Sequence, residues 1–288
     1  MKMDLPVSVW TSYFVDYTPE EMIDAFAEAG YTASEFSDEH GFVLLARAKE
    51  RGMTAAEVGA ELKAYADSEG VSFPQGHLYL GVDPCSDDAV EVLTEWLDLF
   101  VALGIRAGVL HTQGGRDLTP EERFDRWVGT LKPLCAHLEG TDMSIALENV
   151  GGNPTLEGPK KVIDAVGSDH LGICLDTGHL KLAQEKGITD MSQLDFIRGA
   201  GKQLIALHIA DNDGTSDQHM MPLGRGRVNW WEVMKGLREV GYDRLFNYEI
   251  PGERQASPKV RMAKLAYIKA VTDELFSDEF IERGHKVW

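Results

Sequence analysis

Short apolar runs rich in β-branched residues alternate along this chain with longer amphipathic stretches. The first such run is Val7-Ser8-Val9-Trp10 and the last is Leu245-Phe246-Asn247-Tyr248-Glu249-Ile250. That order predicts parallel strands joined by helices, because a parallel pair needs a long crossover between its strands. Eight strands are predicted, over residues 7–10, 33–36, 71–78, 107–111, 144–148, 172–176, 204–209 and 245–250. Helix starts are written in Thr18-Pro19-Glu20-Glu21, Thr54-Ala55-Ala56-Glu57 and Thr119-Pro120-Glu121-Glu122. In each a hydroxyl cap precedes a Glu three positions on, and two carry Pro at the first helical position. A final helix is predicted around 257–275.

No linker, low-complexity tract or composition shift divides the chain. The pattern therefore predicts an α/β protein, one (β/α)8 barrel across residues 1–288. The tail 276–288 either caps the barrel, joins a neighbour or stays loose. A doubly wound open sheet is the rival, but it calls for a phosphate-cradling glycine loop after the first strand. Trp10-Thr11-Ser12-Tyr13-Phe14 is not one.

Composition narrows this picture. A chain of 288 residues that is 43% hydrophobic can bury a core without disulfide help. Its formal charge of −19, from 28 basic and 47 acidic residues, repels polyanions and makes a nucleic-acid partner unexpected. Cys85, Cys135 and Cys174 are scattered and lack a CxxC pair, so they read as reduced, mostly buried thiols. The opening Met1-Lys2-Met3-Asp4-Leu5-Pro6 breaks too early for a signal segment, and no apolar run approaches the roughly 20 residues of a membrane span. A cytoplasmic protein with no membrane partner is expected. No heptad pattern sets the number of chains, and a homo-oligomer stays open.

The candidate chemistry sits at the predicted strand ends: Glu35, His77, His111, Glu148, Asp176 with His179, His208 with Asp211, and Glu249. In a closed parallel barrel all these ends open on one face, so residues far apart in sequence converge there. Taken singly, a rim Glu is usually solvated and a lone His usually a hydrogen-bonded core residue. Together, at the ends of apolar strands, they are costly unless paired or metal-bound. Oxygen from Glu148, Asp176 and Glu249 with one imidazole from His208 suits Mn²⁺ first, with Co²⁺, Mg²⁺ or Zn²⁺ as alternatives.

The most distinctive stretch runs His208-Ile209-Ala210-Asp211-Asn212-Asp213-Gly214, then Asp217-Gln218-His219, then Pro222-Leu223-Gly224-Arg225-Gly226-Arg227-Val228-Asn229-Trp230. With Leu147-Glu148-Asn149, Leu175-Asp176-Thr177-Gly178-His179 and Tyr248-Glu249, it resembles the xylose-isomerase-like barrels over practically the whole chain. That superfamily holds sugar isomerases and epimerases, inosose dehydratases and the endonuclease IV branch of DNA repair. The epimerase resemblance implies Glu148, Asp176, His208 and Glu249 as metal ligands, and His179 as a substrate contact. It implies Glu148 and Glu249 as the acid/base pair that moves a proton beside a carbonyl through an enediolate. The endonuclease resemblance implies three zinc ions and adds His77, His111, His179, Asp217 and His219 as further ligands.

Three function classes follow. A sugar isomerase or epimerase with a small sugar substrate leads. A lyase or dehydratase on a keto-sugar or inosose shares the same site, with His77, His111 or His219 reaching the departing oxygen. A trinuclear zinc phosphodiesterase on abasic DNA is the hydrolytic alternative, against which stands the absence of a basic, aromatic-interleaved segment. Arg225 and Arg227 either contact substrate or form surface ion pairs. Trp230-Trp231 reads as helix packing, and Trp10 and Phe14 either wall the pocket or pack in the core.

Overall fold

In the computed structural model, residues 3–150 and 154–284 are described. The strands are β1 (Val7–Val9), β2 (Ala33–Phe36), β3 (Ser72–His77), β4 (Ala107–His111), β5 (Ser144–Glu148), β6 (Leu171–Asp176), β7 (Leu204–His208) and β8 (Phe246–Tyr248). Around them run α1 (Pro19–Glu28), α2 (Asp38–Arg51), α3 (Ala55–Ser68), α4 (Ala89–Leu103), α5 (Pro120–His137) and α6 (Glu157–Val166). These are followed by α7 (Thr177–Glu185), α8 (Gln193–Ala200), α9 (Trp230–Val240), α10 (Pro258–Leu275) and α11 (Asp278–Arg283). The predicted strands recur, shifted by at most a few residues at their ends.

All ladders are parallel. Strands β2 to β7 form one sheet in sequence order, and β1 pairs with β8. Backbone bonds from Ile209 N to Asn247 O (2.8 Å) and from Glu249 N to Ile209 O (3.2 Å) tie β7 to β8. On the other seam Ser34 Oγ donates to Val9 O at 2.5 Å, joining β2 to β1. The result is a (β/α)8 barrel.

The three predicted capping boxes form. Thr18, Thr54 and Thr119 each accept from the backbone N–H of the Glu three residues on, and that Glu reaches back to the cap N–H. Each such cap is worth about 1 kcal/mol. Helix α2 carries no such signal: its N-cap Ser37 makes no side-chain cap bond, and the helix follows β2 directly. The tail does pack, since Trp231 Nε1 donates to Ile281 O (2.9 Å) and Arg238 pairs with Asp278 (2.8 Å), which seats α11 on α9. The last four predicted tail positions, 285–288, and the first two residues of the N-terminal segment lie outside the described residues.

Strand alternation sorts the side chains into two cores. The large one lies between sheet and helices and includes Leu110, Ile145, Leu147, Ile173, Leu175 and Leu207. The small one comprises Ala107, Val109, Ala146, Cys174, Ile205 and Ala206. Of its members Val109, Ala146, Cys174 and Ala206 sit two residues before His111, Glu148, Asp176 and His208, so the strand faces that carry these small residues also carry the polar groups at the mouth. Cys85, Cys135 and Cys174 are free and buried. Among the described residues no helix is long and apolar enough to cross a membrane.

Two register shifts adjust this mouth. Between Ala33 and Glu35 the facing strand β3 advances by one extra residue, at a segment containing Pro74, whose missing N–H suits a bulge. Between Ile173 and Cys174 strand β7 gains one in the same way, which brings His208 opposite Asp176.

Candidate metal centre

Glu148, Asp176, His208 and Glu249 converge at the barrel mouth, each buried, with one ligand atom from each within 4.8 Å of the others. Each arrives on a strand end or just beyond it. Both oxygens of Glu148, Asp176 Oδ2, Glu249 Oε2 and His208 Nδ1 are buried and make no well-formed hydrogen bond, although imidazoles of His111, His179 and His208 stand 2.9–3.4 Å from Glu148 and Glu249. Buried polar atoms left this way are expensive, at about 1–3 kcal/mol apiece, unless something else satisfies them. A divalent cation fits this donor set of three carboxylates and one imidazole.

The surrounding backbone is locked by side-chain amides and hydroxyls. Asn149 donates to Asp176 O (3.0 Å) and accepts from Asp176 N (2.7 Å), spanning the ends of β5 and β6. Thr177 Oγ1 donates to Ala210 O (2.7 Å), and Asn212 Nδ2 donates to Gly178 O (2.6 Å). Asp176 doubles as the N-cap of α7, taking the His179 N–H on Oδ1 at 2.5 Å. These residues neighbour the ligands in sequence and answer the accounting requirement for buried backbone groups.

Three further groups overlap or flank the quartet: His77, His111 and Glu148; His77, His208 and Glu249; and His179, Asp217 and His219. His77 Nδ1 donates to Leu78 O (2.8 Å), leaving Nε2 to face His111 Nε2 (3.1 Å) and Glu148 Oε2 (3.7 Å). His179 lies between groups, with Nδ1 2.9 Å from Glu148 Oε1 and Nε2 3.0 Å from Asp217 Oδ2. His219 donates from Nδ1 to Glu249 O (2.8 Å), so Nε2 faces Asp217 (3.3 Å). Its backbone has φ +46°, in the left-handed region. A non-glycine residue held there is uncommon and often marks a functional loop. Trp10 stacks against the His219 ring at 6.5 Å and 4°, and its Nε1 donates to Ile250 O (2.9 Å).

Electrostatics follow from this crowding. Burial alone would raise Glu148, but His111 and His208 outweigh it and hold the carboxyl well below its usual range. Glu249 behaves alike, drawn down to about 2 against burial, mainly by His208 and His219. Burial opposes protonation of His77 and His219 as well, yet Glu148 lifts the first to about 9, and Glu249 with Asp217 lifts the second to about 10. Burial pushes Asp176 up to about 7, against the pull of His179. Depressed acids and raised imidazoles mark a centre whose negative charge calls for cations.

Several predicted residues lie elsewhere. Arg225 is exposed and, among the described residues, makes no bond to the cluster; Arg227 pairs with Glu185 at 2.6 Å on the surface. Asp211 belongs to none of these groups and organises the following loop, accepting from Val228 N (2.9 Å) and Trp230 Nε1 (2.8 Å). Gly226 is required there, because a Cβ would collide with the Asp211 carboxylate. Phe14 is core, and Trp230 and Trp231 open α9, the first bonded to Asp211 and the second to Ile281 O of α11. Glu35, whose role the sequence left open, proves fully buried against His208. A cleft of about 790 Å³ lined by Ala33, Ser72 and Arg106 opens at the opposite end of the barrel, away from every ligand group. A smaller one of about 190 Å³, lined by Val150, Pro154, His179, Leu182 and Asp217, adjoins the centre.

Fold and site together define a (β/α)8 barrel with a candidate divalent-metal centre at the C-terminal ends of its strands. The chain belongs to the xylose isomerase-like TIM barrel family, whose sequence pattern matches residues 23–271. It is 25% identical over 287 residues to the uncharacterized protein y4fM of Sinorhizobium fredii, covering 88% of this chain and 89% of that one. It is 27% identical over 261 residues to the D-psicose 3-epimerase of Enterocloster bolteae, covering 84% and 79%. Among solved structures, an L-ribulose 3-epimerase superposes with TM-score 0.74 at 18% identity, over 99% of this chain and 100% of the other, and shares the fold.

Proposed function

We propose that this protein is a carbohydrate isomerase or epimerase that works on a small sugar with a divalent ion, Mn²⁺ first, held by Glu148, Asp176, His208 and Glu249. One observation carries the reading: these four buried groups aim unpartnered atoms at a common point. The likeness to a D-psicose 3-epimerase over most of the chain supports the substrate class. When bound, the ion supplies Lewis-acid polarisation of a substrate carbonyl and its neighbouring hydroxyl.

The chain's own groups supply the proton chemistry. Glu148 and Glu249 project from non-adjacent strands, β5 and the end of β8, so their carboxylates meet a bound sugar from different directions. One removes the proton from the carbon beside the carbonyl and the other delivers one to the opposite face. His179, held between Glu148 and Asp217, donates to a substrate hydroxyl. His111, partly open to the mouth, is placed for a second such contact.

The test is solvent-proton exchange. Incubated with Mn²⁺ and a panel of ketopentoses and ketohexoses in deuterated water, the protein should place deuterium at one substrate carbon, seen by NMR. No exchange across the panel by metal-loaded protein would overturn the reading.

A second reading rests on the groups around the quartet, which together with it offer nine candidate ligand residues in overlapping clusters. If each cluster holds an ion, the centre suits phosphodiester hydrolysis. Metal counting by elemental analysis separates the two: one tightly held ion supports the isomerase, while three zinc ions with nicking of abasic DNA replace it.

A further inference from the structure

A buried polar chain crosses the barrel beneath the candidate metal centre. Ser8 Oγ on β1 donates to Asn247 Oδ1 on β8 at 2.7 Å. Asn247 Nδ2 then donates to Glu35 Oε2 on β2. Glu35 Oε1 accepts from His208 Nε2 on β7 at 2.9 Å. All four side chains have no measurable exposure. The opposite nitrogen, His208 Nδ1, faces Glu148 Oε2 (3.4 Å) and Glu249 Oε2 (3.2 Å) and has no hydrogen-bond partner.

The direction of each bond is forced by its neighbour. With Asn247 Oδ1 taken by the Ser8 hydroxyl, its amide N–H₂ must face Glu35. Both Glu35 oxygens then meet N–H donors, and the imidazole proton must reside on Nε2. A neutral imidazole protonated at Nε2 keeps its lone pair on Nδ1, the atom aimed at the ligand quartet. Glu35 and His208 come from β2 and β7, the two ends of the six-stranded sheet, and each lies just past a register shift against its neighbouring strand. An unanswered carboxylate in the barrel interior is strongly unfavourable, and His208 and Asn247 answer both oxygens of this one.

We infer that Glu35, anchored by Asn247 and Ser8, is a positioning residue that fixes His208 as an Nδ1 metal ligand. This rests on the reading of Glu148, Asp176, His208 and Glu249 as the metal site. Glu35 touches neither ion nor substrate; it acts by holding the ring's tautomer and plane, as outer partners of metal-bound histidines commonly do.

The decisive variant is Glu35→Gln. A carboxamide offers one acceptor oxygen to two N–H donors, so either His208 or Asn247 is left facing an N–H₂. Chelator competition should show Mn²⁺ affinity falling about 10- to 100-fold. Nitrogen-15 NMR of histidine-labelled, Zn²⁺-loaded protein should show the wild-type Nε2–H, Nδ1-bound signature of His208 displaced in the variant. A packing role alone would lower the melting temperature of the metal-free variant while leaving its Mn²⁺ affinity and the His208 signature unchanged, and that result overturns the inference. Ser8→Ala, which deletes only the outermost hydroxyl, should weaken Mn²⁺ about 2- to 10-fold. If Glu35→Gln does not fold, wild-type affinity and signature in Ser8→Ala overturn the inference equally. Wild-type protein that binds no divalent ion defeats the functional reading itself, whereas a metal-binding wild type with unaffected variants defeats only this one.

Discussion

The quartet at the barrel mouth and the trio beside it are built from the same residue types but in different ways. Glu148, Asp176 and His208 end strands of the central sheet and have no exposed side-chain surface, and Glu249 follows β8 at 6%. His179, Asp217 and His219 lie on α7 and a loop, with side-chain exposures of 11%, 42% and 26%. The quartet's positions are imposed by sheet register and are costly to move. The trio depends on a loop that holds His219 in a left-handed conformation, so it can adapt to what it binds. Preorganised ligands on strands and adjustable contacts on loops are what a catalytic centre with a variable substrate requires.

The largest expected effect lies in the quartet. Glu249→Gln should lower kcat for deuterium exchange by about 10²- to 10⁴-fold, the usual worth of a positioned acid or base. Asp217→Asn should instead raise KM with a far smaller change in kcat. Equal losses in kcat from both would erase the distinction between the two groups.

Metal binding should be strongly pH-dependent. His208 and His179 are held well above their ordinary range and His77 at about 9, so the metal-free centre carries protons that an incoming ion must displace. Affinity should therefore rise with pH between 5 and 8, and calorimetry in buffers of different ionisation enthalpy should register proton release.

The metal-free fold should show the matching stability trend. Raised imidazoles contribute stability that is fully present below about 6.5, the unfolded value, and is lost as pH passes about 9 for His77 and about 10 for His219. Asp176, an acid raised to about 7, adds a loss between about 3.9 and that value. Glu249, depressed to about 2, contributes stability present above about 4.3 and lost only as pH falls through about 2. Melting temperatures of the metal-free protein should fall on the alkaline side, and added Mn²⁺ should flatten the decline.

The smallest effects lie outside both groups. Gly226→Ala should cost about 1–3 kcal/mol by driving a methyl into Asp211, a range typical of overpacked sites. Arg227→Ala, which breaks only the exposed pair with Glu185, should change stability by less than about 1 kcal/mol in denaturant melts.

Much of this was legible in the linear sequence. Glu148, Asp176, His208 and Glu249 could be placed because each ends or just follows an apolar run, and a closed parallel sheet brings such ends together. The caps at Thr18, Thr54 and Thr119 were readable because their bonds span three residues. Helix α2 was not, since Ser37 makes no cap bond. Neither was the pairing of Glu35 with His208, a contact across the barrel between residues 173 apart. Arg225 reads as a substrate contact because its neighbours are distinctive; it is exposed, and where a loop side chain reaches is set by backbone turns that a strand pattern does not encode.

The pairing of β1 with β8 carries a consequence for how the molecule is made. Val7 lies beside Phe246, so closure joins segments from opposite ends of the chain and must come late in folding. Glu249 follows that final strand, and Asn247 within it supplies the tie to Glu35. A nascent chain emerging from the ribosome would thus hold Glu148, Asp176 and His208 while the fourth ligand was still unmade. Ion uptake would then report that the last strand had joined the first and the barrel had closed.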